Sequence, residues 1–155
     1  MSQKPLRVLG LGYGNPGRRD DGLGAALAER VQALALQGVT VETDYQLSPE
    51  HAHTAAAHDV VVFVDAATDV DGDAPFYLRP VGPAPAGRSF SHSLSPQAVL
   101  ALAEQCFGAK PRGWLLGIRP VDLESFGEGL TPQAEANLAA ALAALQTALQ
   151  NNSLV

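Results

Sequence analysis

Apolar and polar positions along this chain follow two periods. Leu6 to Leu11 is a short, nearly unbroken apolar run leading into Gly12 and Gly14, which predicts a buried strand entering a tight turn. From Gly22 the period lengthens. Leu23, Leu27, Val31 and Leu34 recur at helical spacing with Glu29, Arg30 and Gln32 between them, and Gly38 closes the helix. Val39 to Thr43 alternates as a half-buried strand does. Val60 to Val64 is an apolar run with no interruption, as expected of a central parallel strand covered on both faces. Phe76 to Val81, with Pro75 before it and Pro80 near its end, belongs near a sheet edge. Trp114 to Ile118 is a last buried strand.

Three helix starts share a signature. Ser48-Pro49, Ser95-Pro96 and Thr131-Pro132 each set a capping hydroxyl before a proline suited to the first helical position. Val99, Leu102, Ala103 and Cys106 share one face of the second of these helices, and Leu138, Leu142, Leu145 and Leu149 one face of the third. Strands alternating with helices predict an α/β three-layer sandwich, a twisted, mostly parallel five-stranded sheet with helices on both faces. Residues 1–150 read as a single domain and residues 151–155 as a frayed tail. Pro80 to Gly87 reads as a loop.

Composition narrows the function classes. The chain has 155 residues, enough for one core, and a formal net charge of −6, which disfavours nucleic acid as a partner. No apolar run approaches the ~20 residues of a bilayer span, and no signal segment precedes the first strand, so a cytoplasmic location away from membranes is expected. The single cysteine, Cys106, leaves no internal disulfide and no paired-cysteine metal site; its helical position suggests a core residue.

In a sheet of this kind ligands gather beyond the carboxyl ends of the strands, where strand order reverses. Three places qualify: the loop after the first strand with Asn15, Asp20 and Asp21; Asp65 at the end of the valine-rich strand; and the serine-rich segment that delivers His92 just before a helix. Asp20 and Asp21 adjoin a helix start, where a carboxylate serves as an N-cap or as a ligand. Gly22 and Gly24 leave room around Asp21. Asp65 is costly at the end of a buried strand unless paired, capped or functional. His92 among serines is either a surface residue or a ligand. Together Asp21, Asp65 and His92 supply two oxygens and one nitrogen, a set suited to nickel or zinc with positions left open.

Other patterns fail on physical grounds. Gly12 to Gly17 matches GxGxxG, but Pro16 lacks an N–H and Asp20 and Asp21 would repel a pyrophosphate. Asp69 to Asp73 begins like a calcium loop but has Ala74 at the glycine position and Pro80 at the twelfth, so it reads as an acidic turn. There is no GxSxG elbow for Ser91 or Ser93. His51, His53 and His58 look like surface residues around a short helix.

The segment from Leu9 to Pro16 followed by Asp20-Asp21-Gly22-Leu23-Gly24 resembles the N-terminal signature of the nickel–iron hydrogenase maturation proteases. Val61 to Ala66 resembles that family's second acidic site, His92 to Pro96 its histidine site, and Gly127 to Pro132 the segment before its last helix. The likeness runs in order along essentially the whole chain. Gly17 and Arg19 depart from the common pattern. Asp44 to Glu50 resembles the branch associated with bidirectional, NAD-linked hydrogenases.

The resemblance implies an endopeptidase that removes the C-terminal extension of a hydrogenase large-subunit precursor after nickel insertion. By the same resemblance Asp21, Asp65 and His92 contact the metal and carry the reaction, while Asn15 and Gln46 contact substrate. Nickel arrives with the substrate and no organic cofactor is expected. The metal could polarise the scissile carbonyl or activate water, or an aspartate could act as general base. Two alternatives stay open. A peptidyl-tRNA hydrolase shares the Gly-x-Gly-Asn-Pro-Gly loop, though Arg18-Arg19-Asp20-Asp21 replaces the segment bearing its catalytic histidine. A non-catalytic, nickel-dependent maturation chaperone would bind the same partner without cutting it.

Overall fold

The computed structural model describes residues 5–85 and 93–155. They form a five-stranded sheet of order β2-β1-β3-β5-β4, with β1 Val8–Tyr13, β2 Val39–Asp44, β3 Val60–Ala66, β4 Phe76–Val81 and β5 Arg112–Ile118. All pairings are parallel except that of β4 with β5. The helices are α1 Leu23–Ala33, α2 Pro49–Ala56, α3 Pro96–Phe107 and α4 Pro132–Gln150. A short 3-10 turn, Arg19–Gly22, precedes α1. None of the described helices is long and apolar enough to cross a membrane.

Two cores make the three layers. On one face Val60, Val62, Val64, Leu116 and Ile118 meet Leu23 and Leu27 of α1 and Leu138 and Leu145 of α4. On the other, Leu9, Leu11, Val61 and Phe63 meet Ala52 and Ala55 of α2 and Val99 and Ala103 of α3. This is why β3 is apolar from Val60 to Val64: both of its faces are covered there. The α/β sandwich expected from sequence is the one observed. The proline-led starts also hold. Ser95 Oγ accepts from the N–H of Ala98, and Thr131 Oγ1 from that of Ala134.

Several details differ. The first strand runs on through Gly12 to Tyr13, so Gly12 is not a turn residue. A Cβ there would lie 2.2 Å from the carbonyl oxygen of Gly24, and its absence lets α1 press against β1. The turn begins at Gly14, whose φ of 133° suits glycine. Cys106 is exposed rather than core: the buried residues of α3 are Ala98, Val99, Leu100 and Ala103, all before its last turn. His51 is buried, not superficial. Its Nδ1 accepts from the Ser48 N–H at 2.9 Å, closing the first turn of α2, and its Nε2 lies 3.5 Å from Asp44. Within the 151–155 tail one residue is anchored. Leu154 is buried in the α1/α4 core, and its carbonyl accepts from the Trp114 indole at 2.8 Å.

Candidate functional site

The chain moves from β1 to β2 on one side, then returns across β1 to β3 on the other. Strand order therefore reverses between β1 and β3, and the crevice beyond their carboxyl ends is the expected ligand position. The register pairs Gly12 with Val64, so Tyr13 and Asp65 are the next neighbours along these strands. Asp65 in turn pairs with Gly117, and Gly117 with Tyr77. Tyr13, Asp65, Gly117 and Tyr77 thus form a row across the sheet on its α2/α3 face. Asp65 lies within β3 and not beyond it.

That row floors a cleft of about 330 Å³, walled by Thr68, Asp69, Arg79 and the first residues of α3, Pro96 and Gln97. A Cβ on Gly117 would lie 2.4 Å from Cζ of Tyr77; without one, the phenol ring lies across the strand beside Asp65. Arg79 holds the ring from above, 3.9 Å from its centroid, and pairs with Asp69 at 3.0 Å. A larger groove of about 720 Å³ opens at the opposite end of the sheet, between Leu6, Val39, Leu149 and Leu154, but no acidic or basic side chain lines it. The smaller cleft is the one lined by titratable side chains.

Asp65 is ionised reluctantly. Burial pushes its carboxyl up to about 7; a bond from the Ala66 N–H opposes this and the nearby negative charge of Asp21 adds to it. Burial and the Asp65 charge also push the Tyr13 phenol well above its ordinary range. Asp21 arrives from the loop after β1. The N–H of Asn15 donates to its Oδ2 at 2.8 Å. A Cβ on Gly14 would meet the Asp21 carbonyl oxygen at 2.1 Å, so Gly14 is the clearance that lets this loop fold back.

Asp20, one residue earlier, has a different role. Its carboxylate is buried and accepts four bonds: from the N–H groups of Val121, Asp122 and Thr131, and from the Thr131 hydroxyl. Burial raises its pKa, but these bonds more than offset that and hold it below the ordinary value. It does not cap its own helix. It fastens the loop after β5 to the loop after β1.

Of the residues singled out by sequence, the fold brings Asp21 and Asp65 together. Asn15 is exposed, and its side-chain oxygen accepts from the Gly17 N–H at 2.9 Å. Gln46 is exposed two residues past the end of β2, at the same edge of the sheet. His92 lies outside the described residues, and among the described residues no three metal-ligating side chains cluster. Tyr13, Tyr77, Arg79 and Gln97 were not anticipated. Tyr13 was legible as the side chain facing the same way as Leu11 at the strand's end. Tyr77 required the β4–β5 pairing.

By sequence, no protein-family model and no curated protein matches the chain. By structure, the hydrogenase maturating endopeptidase HybD from E. coli superposes with a TM-score of 0.72 at 23% identity, over 95% of this chain and 94% of that one. The fold is that of the hydrogenase maturation endopeptidases. The nickel–iron hydrogenase maturation protease HycI from Thermococcus kodakarensis superposes with a TM-score of 0.70 at 22% identity, over 94% of this chain and 93% of that one. For the hydrogenase 2 maturation peptidase from a Thaumarchaeota archaeon the values are 0.67 and 19%, over 92% and 97%. At these identities the likeness establishes the architecture of a maturation endopeptidase, spanning nearly the full length of both chains in each case.

Proposed function

We propose that this protein is an endopeptidase that trims the C-terminal extension of a nickel–iron hydrogenase large-subunit precursor once nickel is in place. The observation that carries the reading is the meeting of Asp21 and Asp65 at the β1/β3 crevice of a maturation-endopeptidase fold. Both are oxygen donors at the edge where such sheets bind ligands. His92 completes the set by the sequence resemblance. The nickel belongs to the substrate, where Asp21, Asp65 and His92 would contact it, so a precursor lacking the metal would not dock productively. Asn15 and Gln46 contact the polypeptide around it.

The side chains suit a hydrolytic step. Without nickel, burial and the Asp21 charge hold Asp65 protonated up to about pH 7; a nickel contact would favour its charged form, leaving a carboxylate able to take a proton from water. Asn15 steadies Asp21 through its backbone N–H, leaving Oδ1 of Asp21 for the incoming substrate. Asp44 to Glu50, at the end of β2, supports a partner from the bidirectional, NAD-linked hydrogenases. A soluble enzyme acting in the cytoplasm, away from membranes and nucleic acid, fits this role.

The test is to incubate the protein with nickel-loaded and nickel-free large-subunit precursors and weigh the products. Loss of a C-terminal peptide only with nickel is expected. Asp21→Asn and His92→Ala should keep the fold and abolish trimming; wild-type rates in both would remove these residues from the site. Nickel-dependent binding without mass loss would favour the chaperone reading, and hydrolysis of peptidyl-tRNA the esterase reading.

A further inference from the structure

Among the described residues, three large apolar side chains are more than 60% exposed: Phe126 at 79%, Tyr45 at 70% and Val121 at 62%. All three lie in loops at the carboxyl edge of the sheet, the edge that bears Asp21 and Asp65. Leu34, Phe107 and Val155, at the opposite edge, are each less exposed. Leaving a phenylalanine in water forgoes its burial energy, and exposed apolar groups on a rigid support mark interaction surfaces.

The support here is rigid. Phe126 and Val121 ride on the loop between β5 and α4, which has no regular structure yet is fastened at many points. Asp20 takes the N–H groups of Val121, Asp122 and Thr131. The N–H of Arg19 donates to the Gly127 carbonyl at 2.9 Å, and that of Gly127 to the Gly17 carbonyl at 2.8 Å. The Arg19 guanidinium donates to the Glu128 carbonyl at 2.8 Å. Gly127 has a φ of 139°, and a Cβ there would lie 3.1 Å from that guanidinium. The Asp122 carboxylate accepts from the N–H groups of Glu124 and Ser125. The bonds made by Asp20, Arg19 and Gly17 all come from the loop that carries Asp21, so the two loops are tied together. Arg18 lies with its guanidinium 5.2 Å from the Phe126 ring centroid and makes no ion pair among the described residues.

We propose that Phe126, Val121 and Arg18 form the docking ridge for the folded body of the protein substrate. The ridge is distinct from the side chains that meet the reacting peptide, and the inference rests on the endopeptidase reading above. An aromatic and an arginine held in place before contact lose little entropy on binding, which is the makeup of an interface anchor. The matching surface is an apolar hollow with a carboxylate at its rim to meet Arg18. A bulky folded substrate needs such a second hold. The loop that holds Phe126 is tied to the loop that holds Asp21, so seating the one registers the other.

The test is steady-state processing of a nickel-loaded hydrogenase large-subunit precursor by the wild type, Phe126→Ser and Val121→Ser, with sedimentation and thermal melting of each protein. Expected are unchanged melting, monomers throughout, and for Phe126→Ser a KM raised about tenfold or more with kcat within about twofold. Val121→Ser should move KM in the same direction by less. An active wild type whose KM survives both changes overturns the ridge and leaves the endopeptidase standing. A wild type that dimerises where Phe126→Ser does not also overturns it, assigning the patch to self-association. A wild type that leaves the precursor uncut overturns the endopeptidase reading, and the ridge with it.

Discussion

Asp20 and Asp65 are both aspartates at the carboxyl edge of the same sheet, and their surroundings drive them in opposite directions. Asp20 is wholly buried and stays charged, because four donors replace the water it lost. Asp65 keeps some exposure, yet holds its proton up to about pH 7, because the Ala66 N–H does not outweigh burial and the neighbouring Asp21. Burial alone therefore does not tell what a carboxylate does. A full set of donors keeps a buried carboxylate charged, and too few let burial hold it protonated.

The contrast breaks most visibly at Asp20. Asp20→Ala strands the N–H groups of Val121, Asp122 and Thr131 and should cost about 3–5 kcal/mol, read by urea denaturation at pH 7. Asp65→Asn should act in the other direction. The folded chain holds a proton on Asp65 that the unfolded chain releases near 3.8, so the native site costs stability as pH rises from about 4 to about 7. At pH 8 the asparagine variant should be more stable by roughly 2–4 kcal/mol, allowing for partial exposure, and at pH 4 no different. Asp20 has the opposite sign. Its charge-dependent stabilisation is present above 3.8 and is lost as pH falls through its lowered folded value, so at acid pH Asp65→Asn should converge on wild type and Asp20→Ala should approach it without reaching it. The smallest effect is expected at Thr131. Thr131→Val removes one donor to Asp20 and the cap on the Ala134 N–H, and should cost about 1–2 kcal/mol by the same denaturation. A loss there as large as that of Asp20→Ala would mean the hydroxyl, and not the backbone donors, carries the fastening.

How legible each region was follows from the range of its interactions. Strands and helices carried local signals: the valine run of β3, the hydroxyl-proline starts of α2, α3 and α4, and the stripe of α1. Asp21 and Asp65 were legible because each breaks a local pattern, one beside small residues and one after an apolar run. The role of Asp20 was not, because its partners lie about a hundred residues away and no period connects them. The same holds for Tyr77, which reaches the cleft only through the antiparallel pairing of β4 with β5. Leu154 was misread because the tail's polarity hides one apolar anchor that meets Trp114 across the chain.

Gly117 has no side chain, and that bareness is what lets the ring of Tyr77 lie across the strand beside Asp65. An added methyl would crowd that ring and the Ala67 methyl. Position 117 is thus a point at which drift or design would move the ring that covers Asp65 while leaving every acid in place. Because burial sets how readily Asp65 ionises, two proteins with identical acids at this edge can then differ in its charge through a residue that has no functional group at all.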